Sequence, residues 1–207
     1  MSIDTAADRP ALHLARDSAD LLFREARSVR EFSDAEVPDE TIAAVYDLIK
    51  WGPTAMNCSP MRLLLVRSAE ARERLCPHMA EGNRERVAEA PLSIVVAFDP
   101  VFYERLDHLV PHVPGIGEKV GGDAAAAEAM ARTNALLQAG YLIVGLRAAG
   151  LATGPMNGMD AEGIDAEFFA ESGWRSFMVI NVSQRDGAST TRPRAPRLEF
   201  ADAAMTV

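Results

Sequence analysis

Cysteine is scarce in this chain. Its 207 residues include two, Cys58 and Cys76, and neither stands in a C-x-x-C pair. A disulfide framework is not expected, and a reducing, cytoplasmic setting is. No H-E-x-x-H pattern occurs, and the spaced pair His108 and His112 is interrupted by Val110 and Pro111, so no metal site is expected. Long apolar runs are also missing. The most apolar stretch, Ala135 to Leu151, is broken by Gln138 and Arg147 and is too short to span a bilayer. Met1 to Pro10 lacks a charged start followed by an apolar run, so no signal peptide is expected. Positive charge is in deficit, with 21 Lys and Arg against 30 Asp and Glu and a net charge of -9. Such a balance argues against a nucleic-acid binder, which needs a basic face. A G-x-G-x-x-G following a strand is absent, since Gly115-x-Gly117 lies in an irregular region, and there is no G-x-S-x-G elbow.

What is present reads as one domain over 1–207, of about half hydrophobic residues. Asp20 to Ala26 reads as a short helix. Asp39 is the expected N-cap of a helix whose apolar face is Ile42, Val45, Tyr46 and Ile49. Met61 to Arg67 is a strand, Ser68 caps a helix from Ala69 to Leu75, and Asn83 to Ala90 is a further helix. Pro91 to Phe98 is a nearly continuous apolar run, the pattern of a strand buried on both faces. Val101 to Gly122, rich in Gly and Pro, reads as an irregular, mobile excursion or lid. Asp123 begins a helix that runs to about Ala149 and stops at Gly150. Its second half is apolar on every side, which predicts burial all round, with cover from a second subunit. Glu162 to Phe169 is a helix, Trp174 to Val182 a strand, and the tail from Ser183 is extended. The order predicts an α+β fold with helices around a central sheet.

Four segments could carry chemistry. Trp51 to Arg62 leaves a helix at Gly52-Pro53, turns through Thr54, Ala55, Met56 and Asn57, and enters a strand after Pro60. It suits an ordinary helix-to-strand turn and equally a loop that holds a flat heteroaromatic ligand. Cys58 within it has no histidine close in sequence and reads as a buried or half-buried thiol, not a nucleophile. Arg27-Ser28-Val29-Arg30 places two guanidiniums around a hydroxyl, which is suited to phosphate or to a solvated turn. Arg192-Pro193-Arg194-Ala195-Pro196-Arg197 presents arginines on a stiffened segment of an acidic chain. It is compatible with a loose basic tail or with an anion site shared with the first cluster. Gly150 to Met159 reads as a helix end, a short extension, a Gly154-Pro155 turn, and then Asn157-Gly158 turning with positive φ.

Together these segments resemble the nitroreductase family of FMN-dependent oxidoreductases. The order is the family's: an Arg/Ser motif early, a P-S/T-x-x-N loop, a Gly-Pro loop after a long helix, and an Arg-rich end. The branch most like it is the malonic semialdehyde reductase-like one, on Glu25-Ala26-Arg27-Ser28, Gly52 to Pro60, Arg105-Leu106, Gly154-Pro155-Met156, Asp165 to Ala170 and Pro196-Arg197-Leu198. The chain departs from many members at Ala26 and at Ser59-Pro60-Met61. The resemblance implies a central antiparallel or mixed sheet flanked by helices, in an intertwined homodimer with FMN between subunits. Arg27, Ser28, Arg30, Arg192 and Arg194 would hold the phosphate. Pro53, Thr54 and Asn57 would contact the flavin ring or ribityl chain. Pro155, Met156, Asn157 and Gly158 would line the isoalloxazine, with a backbone N–H near Asn157 facing N5. NADH or NADPH would reduce the flavin and leave. A small acceptor would then take the hydride: 3-oxopropanoate, an enal, a quinone or a nitroaromatic. No catalytic side chain, nucleic acid, membrane or metal is implied. Two other readings stay open: an FMN-binding module without turnover, and a cofactor-free scaffold dimer.

Overall fold

The computed structural model describes residues 12–190 and 192–207 of the chain. The reading of Met1 to Pro10 lies outside them. Four strands, β1 (Met61–Val66), β2 (Leu92–Phe98), β3 (Leu151–Met156) and β4 (Arg175–Gln184), form one sheet in the order β1-β2-β4-β3, antiparallel at each pairing. Every residue of β2 is buried, as its apolar run predicts. Successive strand residues point to opposite faces. Leu92, Ile94, Val96 and Phe98 therefore enter one core, and Val95 and Ala97 the other. The first core is closed by α2 (Asp39–Ile49) and α7 (Ala124–Ala148). The second is closed by α3 (Ala69–Leu75), α4 (Glu81–Glu89) and α8 (Ala161–Phe168).

The predicted ends of α3 and α7 are present. Ser68 Oγ accepts from the Ala71 N–H at 3.1 Å, and Asp123 Oδ1 from the Ala126 N–H at 3.0 Å, each filling an orphan donor of a first turn. Gly150 leaves α7 with φ at 77°, which a glycine adopts without strain.

Several expectations are corrected. The first helix is α1 (Arg16–Ala19) continued by a π-turn over Asp20–Arg24, so it starts earlier than Asp20. Asp39 is inside α2, not its cap. Pro38 occupies the cap position, and the Asp39 carboxylate pairs instead with Arg67. Tyr46 lies off the buried face of α2, being 42% exposed. The excursion is ordered: a 3-10 turn over Phe102–Arg105 is followed by α5 (Leu106–Leu109) and α6 (Ile116–Gly121). Phe102 and Leu106, both fully buried in the first core, pin it there, and composition masked these anchors. The second half of α7, expected to be buried all round with cover from a second subunit, keeps one face open in the single chain, which does not contradict that expectation. Leu136 and Leu137 are 41% and 45% exposed, on the side away from the sheet. A last short helix, α9 (Phe200–Ala203), interrupts the extended tail.

Val45 and Ile49 of α2 meet α7 at Gly145. A Cβ at Gly145 would collide with Ile49 Cγ2 and come within 3.1 Å of Val45 Cγ1. The glycine lets the two helices approach at that point, and a methyl there is overpacking. Gly145→Ala should therefore lower stability by about 1–3 kcal/mol, seen as a lower urea midpoint at unchanged slope.

Candidate functional site

β3 is an edge strand, and its open side is covered by the segment after the first helix. The Val29 N–H donates to the Thr153 carbonyl at 3.0 Å, and Ser28 bridges Thr153 in parallel. The tail pairs onto the other side of that segment. Arg30 N donates to the Ser189 carbonyl at 2.9 Å, and Ser189 N to the Glu31 carbonyl at 3.1 Å. Two longer bonds tie the flanks together: Arg27 Nη2 to the Arg192 carbonyl at 2.5 Å, and Arg194 Nη2 to the Ala26 carbonyl at 3.0 Å. Segments about 160 residues apart in sequence thus run side by side, and the two arginine clusters meet.

The result is a cleft of 590 Å³ lined by Arg27, Arg30, Arg86, Arg147, Arg192, Arg194 and Arg197, together with Ser28 and Pro155. Among the described residues none of these arginines forms an ion pair with a carboxylate. Arg86 and Arg147 are half-buried. Arg86 gives Nη2 to the Val29 carbonyl at 3.1 Å, and Arg147 gives Nη1 to that of Leu22 at 3.0 Å, but the Nε of each is buried without an acceptor among the described residues. Burial lowers the pKa of the Arg86 guanidinium, and Arg30 and Arg192 lower it further; burial and then Arg194 do the same for Arg147. The cleft is a concentration of like charge in an acidic protein, with donors that lack acceptors. Chemically it is built to hold an oxyanion.

The 150–159 segment differs from its reading. Gly154-Pro155 makes no turn; both residues lie in β3, where Gly154 opposes Asn181 and Pro155 opposes Ile180. An edge position tolerates a residue that cannot donate to the ladder. Gly154 allows the close approach of the covering segment, since a Cβ there would sit 2.9 Å from the Val29 carbonyl oxygen. Neither Asn157 nor Gly158 has positive φ. The Met156 side chain is buried in the second core, so only its backbone is near the cleft edge. Asn157 and Gly158 are exposed and lie outside the cleft lining. A polar chain joins Gly158 to it: Arg86 Nη1 donates to Asn83 Oδ1 at 3.3 Å, and Asn83 Nδ2 to the Gly158 carbonyl at 3.0 Å.

The 52–60 loop carries the left-handed backbone instead. Met56 and Asn57 have φ of 51° and Ser59 of 40°. Non-glycine residues held there store strain of about 1–3 kcal/mol each and need support. α7 supplies it. Asn134 Oδ1 accepts from Ala55 N at 2.8 Å, Gln138 Oε1 from Met61 N at 3.0 Å, and the Tyr141 hydroxyl donates to the Pro53 carbonyl at 3.1 Å. Their spacing of four and three puts them on one face of the helix. Thr54 Oγ1 accepts from Ser59 N at 3.3 Å, and Asn57 Nδ2 donates to the Leu109 carbonyl at 3.0 Å. Pro53, Thr54 and Asn57 are absent from the lining of the arginine cleft.

The structure therefore brings together Arg27, Ser28, Arg30, Pro155, Arg192 and Arg194, and leaves Pro53, Thr54, Asn57, Met156, Asn157 and Gly158 outside that cleft. Sequence reasoning missed Arg86 and Arg147. Arg147 had a signal, as the lone charge in the apolar end of α7; Arg86, on a polar helix, had none. Among the described residues no helix is long and apolar enough to cross a membrane, and no cluster of three or more His, Cys, Asp or Glu could hold a metal.

A four-stranded antiparallel sheet between two helical layers, with a phosphate-suited cleft on its edge strand, defines the class. The chain belongs to the nitroreductase family, matching it over residues 23–183. A protein of Streptomyces griseus subsp. griseus, provisionally named NADH dehydrogenase/NAD(P)H nitroreductase, is 50% identical over 188 residues, 91% of this chain and 95% of its own. A provisionally assigned nitroreductase from Exiguobacterium sibiricum, solved in complex with FMN, superimposes with a TM-score of 0.79 at 21% identity, over 95% of this chain and 100% of its own. The NADPH:FMN oxidoreductase of Vibrio harveyi, complexed with NAD+, does so with a TM-score of 0.70 at 16% identity, over 92% and 77%. At such identities these two structures speak for the fold.

Burial raises the pKa of both thiols, Cys58 (1% exposed) and Cys76, which keeps them protonated and slow to react near neutral pH. The folded protein at pH 8 should leave Cys58 unmodified by a bulky disulfide reagent, label Cys76 slowly, and give two modified thiols only in denaturant; mass spectrometry of the labelled peptides checks this.

Proposed function

We propose that the arginine cleft holds the phosphate of FMN and that the protein is an NAD(P)H-dependent flavin oxidoreductase. The carrying observation is the convergence of Ser28, Arg30, Arg192 and Arg194 on one cleft of unpaired cations at the edge of β3. The donor set fits the group, since planar guanidiniums and a hydroxyl match phosphate oxygens. The names carried by the relatives point the same way: NAD(P)H nitroreductase for the Streptomyces protein and NADPH:FMN oxidoreductase for the Vibrio one. Bound there, the flavin would supply hydride chemistry at N5, taking two electrons and a proton from NADH or NADPH and passing them to an acceptor.

The remaining work falls to the chain. Arg27, its Nη2 committed to the Arg192 carbonyl, positions the tail. Pro155, the Met156 backbone, Asn157 and Gly158 continue from the cleft and would line the ring, with a backbone N–H near Asn157 toward N5. Pro53, Thr54 and Asn57 face elsewhere in the single chain, so their assigned contact needs a second copy. Leu136 and Leu137 of α7, and Leu48 and Trp51 (62% and 81% exposed) in and just after α2, which packs on α7, are exposed apolar side chains that a homodimer would cover. Similarity of motif to the malonic semialdehyde reductase-like branch supports a small carbonyl acceptor such as 3-oxopropanoate. A nitroaromatic or a quinone is an alternative acceptor, the first in line with the nitroreductase name of the Streptomyces relative.

The purified protein should be yellow or become so on adding FMN, and NADH or NADPH should bleach it until an acceptor restores the colour. A colourless protein that takes up no FMN sinks the reading, and bound flavin that neither donor reduces would make the protein a binding module. Arg194→Ala removes charge-assisted bonds worth about 1.5–3 kcal/mol, so FMN affinity should fall by tens-fold in a fluorescence titration.

A further inference from the structure

A second cavity, of 290 Å³, adjoins the arginine cleft and shares Ala26, Arg27, Arg147 and Thr190 with it. Its walls add Arg185 and Thr153, against a single carboxylate, Glu25. Thr153 is 1% exposed, and its Oγ1 has no hydrogen-bond partner among the described residues. The Nε of Arg147, on the same wall, is likewise unpartnered. Polar atoms of this kind are costly to bury unless something binds them.

The cationic groups divide accordingly. Arg86 crowds with Arg30 and Arg192, close to Gly154, where a Cβ would come within 3.2 Å of Arg86 Nη2. Arg147 crowds with Arg194 and stands by Thr153. Thr153 and Gly154 are neighbours in β3 and so belong to opposite faces of the strand. A single phosphate monoester, with about two negative charges, leaves most of the seven cleft arginines unneutralised. We propose that the smaller cavity is a second oxyanion site, in which Arg147 and Thr153 bind a phosphate-like group separate from that of FMN. Calling it second rests on the flavin reading; the site itself does not.

The test uses the FMN-loaded full chain and inorganic phosphate, followed by titration calorimetry. Saturable binding of one phosphate per chain is expected. Thr153→Val keeps the side-chain shape and removes the hydroxyl. It should weaken phosphate about tenfold and leave FMN affinity within about twofold. Arg147→Gln should lose phosphate binding altogether, with circular dichroism confirming the fold. No saturable phosphate binding to the wild-type protein overturns the proposal. So does a loss of FMN affinity in Thr153→Val equal to its loss of phosphate affinity, because the two anions would then share one site. Competition of phosphate with NADPH but not NADH supports the site and identifies the donor's 2′-phosphate as its occupant. Competition with neither supports it with free oxyanion as occupant. Phosphate bound by a protein that takes no FMN would retain the site and remove the flavin reading.

Discussion

The backbone bonds that lay Arg27 to Glu31 along the edge of β3 are the constraint on which the site depends. An exposed strand edge is a row of unpaired donors and acceptors that some partner will fill. Here the chain fills it with its own N-terminal segment, and the tail in turn pairs with the outer side of that segment. Local pairing satisfies the sheet, and its by-product is that guanidiniums from distant parts of the sequence crowd together. Among the described residues neither cluster is held by side-chain ion pairs; main-chain carbonyls fix both.

The two cores divide the labour around this edge. α7 contributes Arg147 from its last turn and props the strained 52–60 loop with Asn134, Gln138 and Tyr141. On the other face, α4 contributes Arg86, and its main chain is anchored to the sheet. Asn181 Nδ2 donates to the Arg86 carbonyl at 2.6 Å while Asn181 Oδ1 accepts from Ser93 Oγ at 2.7 Å. This buried pair fixes where α4 sits relative to β2 and β4, and hence where the guanidinium can reach. Asn134, Gln138 and Asn181, polar residues inside the cores, are thus positioning elements, each bonded to a specific backbone group.

Much of this was legible in the residues. The continuous apolar run of β2, the Ser68 and Asp123 caps and the Gly150 stop are local signals, and the structure carries them unchanged. The arginine clusters were visible as clusters, but their meeting was not, because it depends on strand pairing across most of the chain. Gly154-Pro155 looked like a turn by dipeptide chemistry and is a strand, since an edge position removes the usual objection to proline. Composition made 101–122 look loose, and two buried residues, Phe102 and Leu106, outweigh its glycines and prolines. The 52–60 loop reversed the expectation about backbone sign. Left-handed residues are Met56, Asn57 and Ser59, whose strain is held by helix side chains that no local pattern announces.

The crowded guanidiniums carry a consequence for the life of the polypeptide. Mutual repulsion makes the empty fold the weaker of two states, and an anion that enters adds stability by mass action, in proportion to RT ln(1 + [L]/Kd). Chains synthesised ahead of their ligand spend more time open to proteases than chains that find it at once.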